Sequence, residues 1–169
     1  INLMNIVYIC PDEVIENTEK PLVALKHKKE SSMVKGFNMI KEGKVDAFVS
    51  SGSTGAFMAG GTLLVGRIKG IDRPALSAIM PAYNGSFMLL DAGANTNIRP
   101  INSEQFAYMG SIYMKKVMKI EKPRVALLNI GAEEEKGTDW IKESYEKLKE
   151  CDKINFIGNI EGRYIFDGS

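Results

Sequence analysis

The chain has 169 residues, 44% hydrophobic and 25% charged, and carries a formal net charge of +1 at pH 7. This balance provides for a packed core and excludes both a disordered polyelectrolyte and a protein that attracts nucleic acid through its overall field. Cys10 and Cys151 are too few for a disulfide framework, and no apolar run reaches the roughly 20 residues that span a bilayer, so a cytoplasmic setting with at most peripheral membrane contact is expected.

In chain order, residues 5–10 read as a first strand stopped by Pro11, and residues 12–20 as a short polar segment with helical character. Pro21 can open a helix carrying Leu22, Val23 and Leu25. Ser31 or Ser32 can cap a second helix, in which Met33, Phe37 and Ile40 recur at helical spacing before Gly43 ends it. The basic cluster Lys26-His27-Lys28-Lys29 reads first as a solvated helix face.

The most informative stretch is Val45-Asp46-Ala47-Phe48-Val49-Ser50-Ser51-Gly52-Ser53-Thr54-Gly55-Ala56. Its apolar first half has the pattern of a strand covered on both faces. Gly52 and Gly55 then permit a tight turn, and Ser53 or Thr54 can cap the helix that follows. A helix starting there points unpaired N–H groups and the positive end of its dipole outward, which suits a phosphate or oxyanion. A capped turn that binds nothing is the competing reading. The helix itself contains Gly55, Ala56, Ala59, Gly60 and Gly61, a run that predicts close packing, because glycine inside a helix costs about 0.5–1 kcal/mol against alanine. Arg67 and Lys69 follow in a polar turn.

Residues 74–80 and 86–90 are expected to pair antiparallel, since the loop holding Asn84-Gly85 is too short for a parallel crossover. A long helix follows from Ser103, a capping candidate, with Phe106, Met109, Gly110, Tyr113 and Val117 as its buried stripe and Met109, Met114 and Met118 as core filler. Residues 124–130 form a strand, residues 138–150 a helix presenting Trp140, Ile141, Tyr145 and Leu148, and residues 154–160 a last strand. The transitions at Leu90-Asp91-Ala92-Gly93-Ala94-Asn95 and Asn129-Ile130-Gly131-Ala132-Glu133-Glu134 repeat the apolar-to-small pattern of residues 45–55. In an open parallel sheet such turns collect at one edge. The expected architecture is α/β, three-layer α/β/α around a mostly parallel, mixed sheet, with residues 1–169 as a single domain. The chain begins at Ile1 and stops just after a strand-like segment, so it reads as part of a longer protein.

Several chemistries lack their signatures. No G-x-G-x-x-G follows a strand, and Lys136 precedes Gly137 where a P-loop needs the reverse order. His27 is the sole histidine and has no partners in its basic run, which argues against a histidine triad and a zinc site. Cys10 and Cys151 read as structural, and neither cofactor nor metal is expected.

Many loops taken together resemble one family. Lys28-Lys29-Glu30-Ser31-Ser32-Met33, the Ser-x-Gly-x-Thr-Gly-Ala loop at residues 50–56, Gly66-Arg67-Ile68-Lys69-Gly70-Ile71-Asp72-Arg73-Pro74, Leu89 to Asn95, Met109-Gly110-Ser111, Asn129-Ile130-Gly131 with Glu133-Glu134, Lys136-Gly137 and Ile157-Gly158-Asn159 occur in the order seen in the PlsX phosphate acyltransferases. That resemblance implies a bacterial enzyme of phospholipid synthesis that converts acyl-ACP and inorganic phosphate into acyl phosphate and free acyl carrier protein. It also implies a fold like that of isocitrate and isopropylmalate dehydrogenases, a homodimer, and peripheral membrane association. Two positions depart from the family's pattern: Ser53 stands where Asn is usual, and Arg99-Pro100-Ile101-Asn102 where Lys-Pro-Glu-His is usual.

The implied reaction needs no enzyme nucleophile. Phosphate is already anionic and a thiolate of pKa about 8.5 is a tolerable leaving group, so positioning and electrostatics can carry the chemistry. Phosphate is expected on Ser50, Gly52, Ser53, Thr54 and Gly55, with Asn95 and Arg99 as catalytic donors. Asp91 is expected to orient a donor or the Gly93-Ala94-Asn95 turn, with simple turn capping as its alternative. Gly131, Glu133, Glu134 and Lys136 are site residues or solvated charge, and Lys28, Lys29, Arg67 and Lys69 are candidates to dock the acidic carrier. A phosphotransacetylase-like enzyme using acyl-CoA and a non-catalytic phosphate- or acyl-binding module are the alternative functions.

Overall fold

The computed structural model describes residues 6–95 and 97–167. Among these, five α-helices and two two-stranded sheets give a mixed α/β chain. The chain divides into two compact units, residues 1–70 and 71–169.

The first unit is helical. α1 (Pro21–His27) starts with the proline at its first turn, and α2 (Ser32–Lys41) is capped by Ser31, whose hydroxyl oxygen accepts the Val34 N–H. Gly43 follows α2 in the left-handed region, as expected of the residue after a helix end. α3 (Thr54–Gly60) is capped by Ser53 through the Ala56 N–H and runs on into a π-helical turn at Gly61–Val65. Leu25, Met33, Val34, Phe37 and Ala56 form the core, and Phe48 and Phe57 pack against it. The rings of Phe37, Phe48 and Phe57 lie 5.0–5.6 Å apart, centroid to centroid. The small residues of α3 now have their reason: Gly60 lies against the Phe37 ring, which occupies the space that a Cβ would need.

Three expected elements of this unit do not form. Residues 45–49 are not a strand but an irregular approach to α3. A strand requires a neighbour for its N–H and C=O groups, and no described segment forms a ladder with this one; Val49 is 92% exposed, while Val45 and Phe48 are half-buried. Residues 6–10 likewise join no ladder and are exposed, and Asn5 of that expected strand lies outside the described residues. Residues 12–20 form turns rather than a helix, tied down by the α1–α2 junction: Glu13 accepts the Glu30 N–H, and Lys28 Nζ donates to the Val14 carbonyl at 2.5 Å.

In the second unit, β1 (Ser77–Ala82) and β2 (Gly85–Leu90) form the expected antiparallel hairpin through the two-residue turn Tyr83–Asn84. α4 (Pro100–Lys116) follows, then β3 (Arg124–Asn129), α5 (Asp139–Glu150) and β4 (Asn155–Glu161). β3 and β4 pair in parallel, a connection through α5 that is the βαβ arrangement. The helix–sheet contact is close where Gly110 of α4 meets Leu90 of β2.

α4 differs from expectation in start and phase. It begins at Pro100, not Ser103, because proline fits the first helical position and Asn102 then stands three residues past the cap. Its buried stripe is Asn102, Ser103, Phe106, Gly110 and Met114, whereas Tyr113 and Val117 are exposed. The stripe is polar at its start because Ser103 meets Ser144 of α5, hydroxyl to hydroxyl at 3.1 Å. α5 buries Ser144, Tyr145 and Leu148, while Trp140 is exposed.

Candidate active site

Residues 50–55 form a turn held by its own hydroxyls. The Gly52 N–H donates to Ser50 Oγ at 3.1 Å and the Ala56 N–H to Ser53 Oγ at 3.4 Å. A serine hydroxyl that accepts a bond keeps its O–H to donate, so both serines retain a donor for an anion. Ser50, Gly52, Thr54 and Gly55 are exposed, and Ser53 is half-buried. Neither glycine here lies at positive φ; a Cβ on Gly52 would come within 3.0 Å of Met33 Cε, and one on Gly55 within 3.0 Å of Pro21 Cγ. Their smallness serves packing against α2 and α1.

In the second unit, Asp91 is the centre of the loop after β2. Its carboxylate accepts the N–H of Leu76 (2.9 Å), Ala94 (3.4 Å) and Asn95 (2.8 Å) and the Asn95 side-chain amide (2.7 Å). Gly93 turns the chain at φ +87°, with its N–H on the Asp91 carbonyl at 2.9 Å. Asn95 Nδ2 also donates to the Pro74 carbonyl at 3.0 Å. Residues 72–76, which lead into β1, are thereby fastened to the turn at residues 91–95.

The other end of that segment is fastened to α4. Asp72 Oδ2 accepts from Arg99 Nη2 at 2.7 Å and from Asn102 Nδ2 at 2.8 Å, while its N–H donates to Gln105 Oε1 at 2.9 Å. Asn102 Oδ1 takes the Arg99 backbone N–H at 2.8 Å, which caps α4 from inside. The Asn102 amide, followed by the Arg99 guanidinium, holds the Asp72 carboxyl below the usual carboxylate range. Asp91, Asn95 and Arg99 thus border one hydrogen-bonded frame that also contains Asn102, noted in the sequence only as a departure from the family's pattern, and Asp72, to which the sequence assigned no role. Arg99 and Asn102 lie 27 and 30 residues from Asp72, beyond any local signal.

The loop after β3 is held by different bonds. Asn129 Nδ2 donates to the Lys136 carbonyl at 3.0 Å, Asn159 Nδ2 of β4 donates to the Glu133 carbonyl at 2.9 Å, and Gly131 is buried beneath the Glu133 and Lys136 side chains. Glu134 turns to α5, accepting from the Tyr145 hydroxyl at 2.8 Å and from Lys149 Nζ at 3.0 and 3.2 Å. The Tyr145 hydroxyl first, then Lys149, hold the Glu134 carboxyl below its ordinary value. Glu134 therefore acts as a fastener of this loop.

Of the four candidate docking cations, Lys28 is committed to Glu19 at 2.6 Å and to the Val14 carbonyl, and Lys29 to the Leu25 carbonyl at 3.1 Å. Arg67 and Lys69 are exposed on the turn after the π-helical segment. Among the described residues no cluster of three or more His, Cys, Asp or Glu is placed to hold a metal, and no helix is long and apolar enough to cross a membrane.

Comparison with known sequences decides the family. A family profile described as "Fatty acid synthesis protein" matches residues 3–169. The chain belongs to this family, the PlsX phosphate acyltransferases. It is 55% identical over 163 residues to a protein named "Phosphate acyltransferase" from Clostridium botulinum, covering 96% of this chain and 49% of that protein. A protein of the same name from Thermoanaerobacter pseudethanolicus is 58% identical over 153 residues, which is 90% of this chain and 46% of its own length. For the one from Caldicellulosiruptor bescii the identity is 56% over 151 residues, with 89% and 45% covered. The chain spans about half the length of these PlsX relatives.

Proposed function

We propose that the full-length protein is an acyltransferase that converts fatty acyl-ACP and inorganic phosphate into acyl phosphate and free ACP. The observation that carries this reading is the identity above 50% to proteins named phosphate acyltransferase across nine-tenths or more of the chain. The complete protein is proposed to be cytoplasmic, homodimeric and peripherally associated with the membrane. We extend the proposal to a three-layer α/β/α architecture of isocitrate and isopropylmalate dehydrogenase type, with residues 1–169 as part of one α/β domain.

In the proposed reaction a phosphate oxygen attacks the thioester carbonyl carbon, the carbonyl oxygen becomes an oxyanion, and the C–S bond then breaks with its electron pair leaving on sulfur. The thiolate takes up a proton on release. Residues 50–55 offer phosphate their hydroxyls and the early N–H groups of α3. Within the second unit Arg99 supplies a cation, charge-assisted when it meets an oxyanion. The Asn95 amide, expected as a second donor, already gives both its N–H groups to Asp91 and the Pro74 carbonyl, so Asn95 serves to hold the turn. Asp91 positions Asn95, Gly93 and Ala94 by the bonds described above. Gly131, Glu133 and Lys136, on the loop after β3, are proposed as further phosphate contacts, with Glu134 the loop's fastener. Arg67 and Lys69 are proposed to receive the acidic carrier, whereas Lys28 and Lys29, also expected to do so, are held by Glu19 and the Val14 carbonyl and by the Leu25 carbonyl.

The test is acyl-phosphate formation by the full-length protein, with acyl-ACP and acyl-CoA compared at equal concentration and phosphate varied. Turnover with acyl-ACP exceeding that with acyl-CoA is the expected result. Preference for acyl-CoA would move the protein to phosphotransacetylase-like chemistry, and no turnover with either would leave a binding module.

A further inference from the structure

We propose that Asp72 is the positioning residue for Arg99, holding one corner of its guanidinium so that the rest of the fork is presented to phosphate. This rests on the reading of Arg99 as a phosphate-binding cation.

The geometry is a closed ring. Asn102 Oδ1 holds the Arg99 backbone N–H, Asn102 Nδ2 holds Asp72 Oδ2, and the same oxygen holds Arg99 Nη2. Both ends of Arg99, main chain and guanidinium tip, are thereby referred to one amide that is fully buried. Asp72 is anchored separately through its N–H on Gln105, so the carboxylate is not free to follow the arginine. An arginine side chain otherwise has many rotamers, and a cation must be in place before the transition state forms to be useful there.

The ring uses little of the guanidinium. Asp72 meets Nη2 alone, and Arg99 side-chain exposure is 64%. Of the five N–H donors in an arginine fork, the others are left for an oxyanion. Arg73 also acts on the same carboxylate, so Asp72 does not cancel the local positive charge alone. The carboxyl is held in its charged form by these partners.

The experiment compares Asp72→Asn, Asp72→Glu, Arg99→Ala and the Asp72→Asn/Arg99→Ala double variant in the full-length protein. Steady-state kinetics are taken separately against phosphate and acyl-ACP, with thermal midpoints alongside. Asp72→Asn is expected to lower kcat/KM for phosphate about tenfold with KM for acyl-ACP within about twofold, and the double variant to be no slower than Arg99→Ala, as for residues acting as one unit. Asp72→Glu recovers part of the loss. Wild-type phosphate kinetics in Asp72→Asn beside a slow Arg99→Ala would overturn the Asp72 assignment and leave Arg99 in place. Equal loss toward both substrates with a lowered midpoint would make Asp72 a stability residue only. Wild-type kinetics in Arg99→Ala would overturn both readings.

Discussion

Gly110 of α4 presents its bare Cα to Leu90 of β2, where a Cβ would come within 2.6 Å of the leucine Cδ1. The contact sets how closely the helix lies on the hairpin, one residue before Asp91 begins the loop of the candidate site. Gly110→Ala gains helix propensity but overpacks this contact, and overpacking of a tight core costs about 1–3 kcal/mol. Denaturant midpoints of the full-length protein should therefore fall, and Leu90→Ala in the same background should give part of it back. A rise in midpoint for Gly110→Ala alone would show that the helix can move away at no cost.

Asn102 is expected to matter more for the frame than its uncharged side chain suggests. Asn102→Ala leaves the Arg99 N–H without its buried acceptor and removes a donor from Asp72, a change worth about 1–3 kcal/mol of stability. The amide is the first cause of the depressed Asp72 carboxyl, so Asn102→Ala should raise the Asp72 titration midpoint although it removes no charge. Carboxyl chemical shifts followed through acid would decide it, and an unchanged midpoint in Asn102→Ala would discard the contact.

The cations of the first unit should separate by charge reversal. Lys69→Glu is expected to raise KM for acyl-ACP several-fold while leaving KM for phosphate unchanged, and to lose its effect at high salt. Lys28→Glu should instead loosen residues 14–19, because Lys28 is bound to Glu19 and to the Val14 carbonyl. Faster amide exchange in residues 14–19 with unaltered carrier KM is the pattern to look for in Lys28→Glu. If both variants weaken the carrier equally, the distinction fails.

Glu134 gives the pH dependence of the loop after β3. Its folded pKa lies below its unfolded value of about 4.3, so its contribution is complete above that value and is lost as pH falls through the folded one. Lys149 and Tyr145 are both raised, so their share is complete below about pH 10 and lost as pH rises through their folded values. Tyr145→Phe and Lys149→Met should each bring the Glu134 midpoint back toward that of free glutamate, the first through the lost phenol bond and the second through the lost bond and charge. An ordinary Glu134 midpoint in the unaltered protein would contradict the contact.

What could be read from the sequence was mostly what is decided within a few residues. Pro21, Ser31 and Ser53 mark helix starts because caps and first-turn prolines are local chemistry, and Asn84-Gly85 marks the hairpin for the same reason. Residues 45–49 are apolar enough for a strand, yet apolarity says that a segment prefers cover and not that a ladder partner lies beside it. The phase of α4 was hidden by Asn102 and Ser103, polar residues in a buried stripe whose partners come from Asp72 and from Ser144 of another helix. Asp72 stands in the sequence only as one residue of the stretch 66–74, and its task depends on contacts that only the folded chain creates.

The loop after β2 carries one more implication. The carboxylate of Asp91 receives four donors, from Leu76, Ala94, Asn95 main chain and Asn95 side chain. A carboxylate has about four lone-pair sites, so this one is filled by the chain's own donors and leaves no position at which an incoming donor could be received. An arriving ligand would therefore meet the turn that Asp91 holds, and not the carboxylate itself.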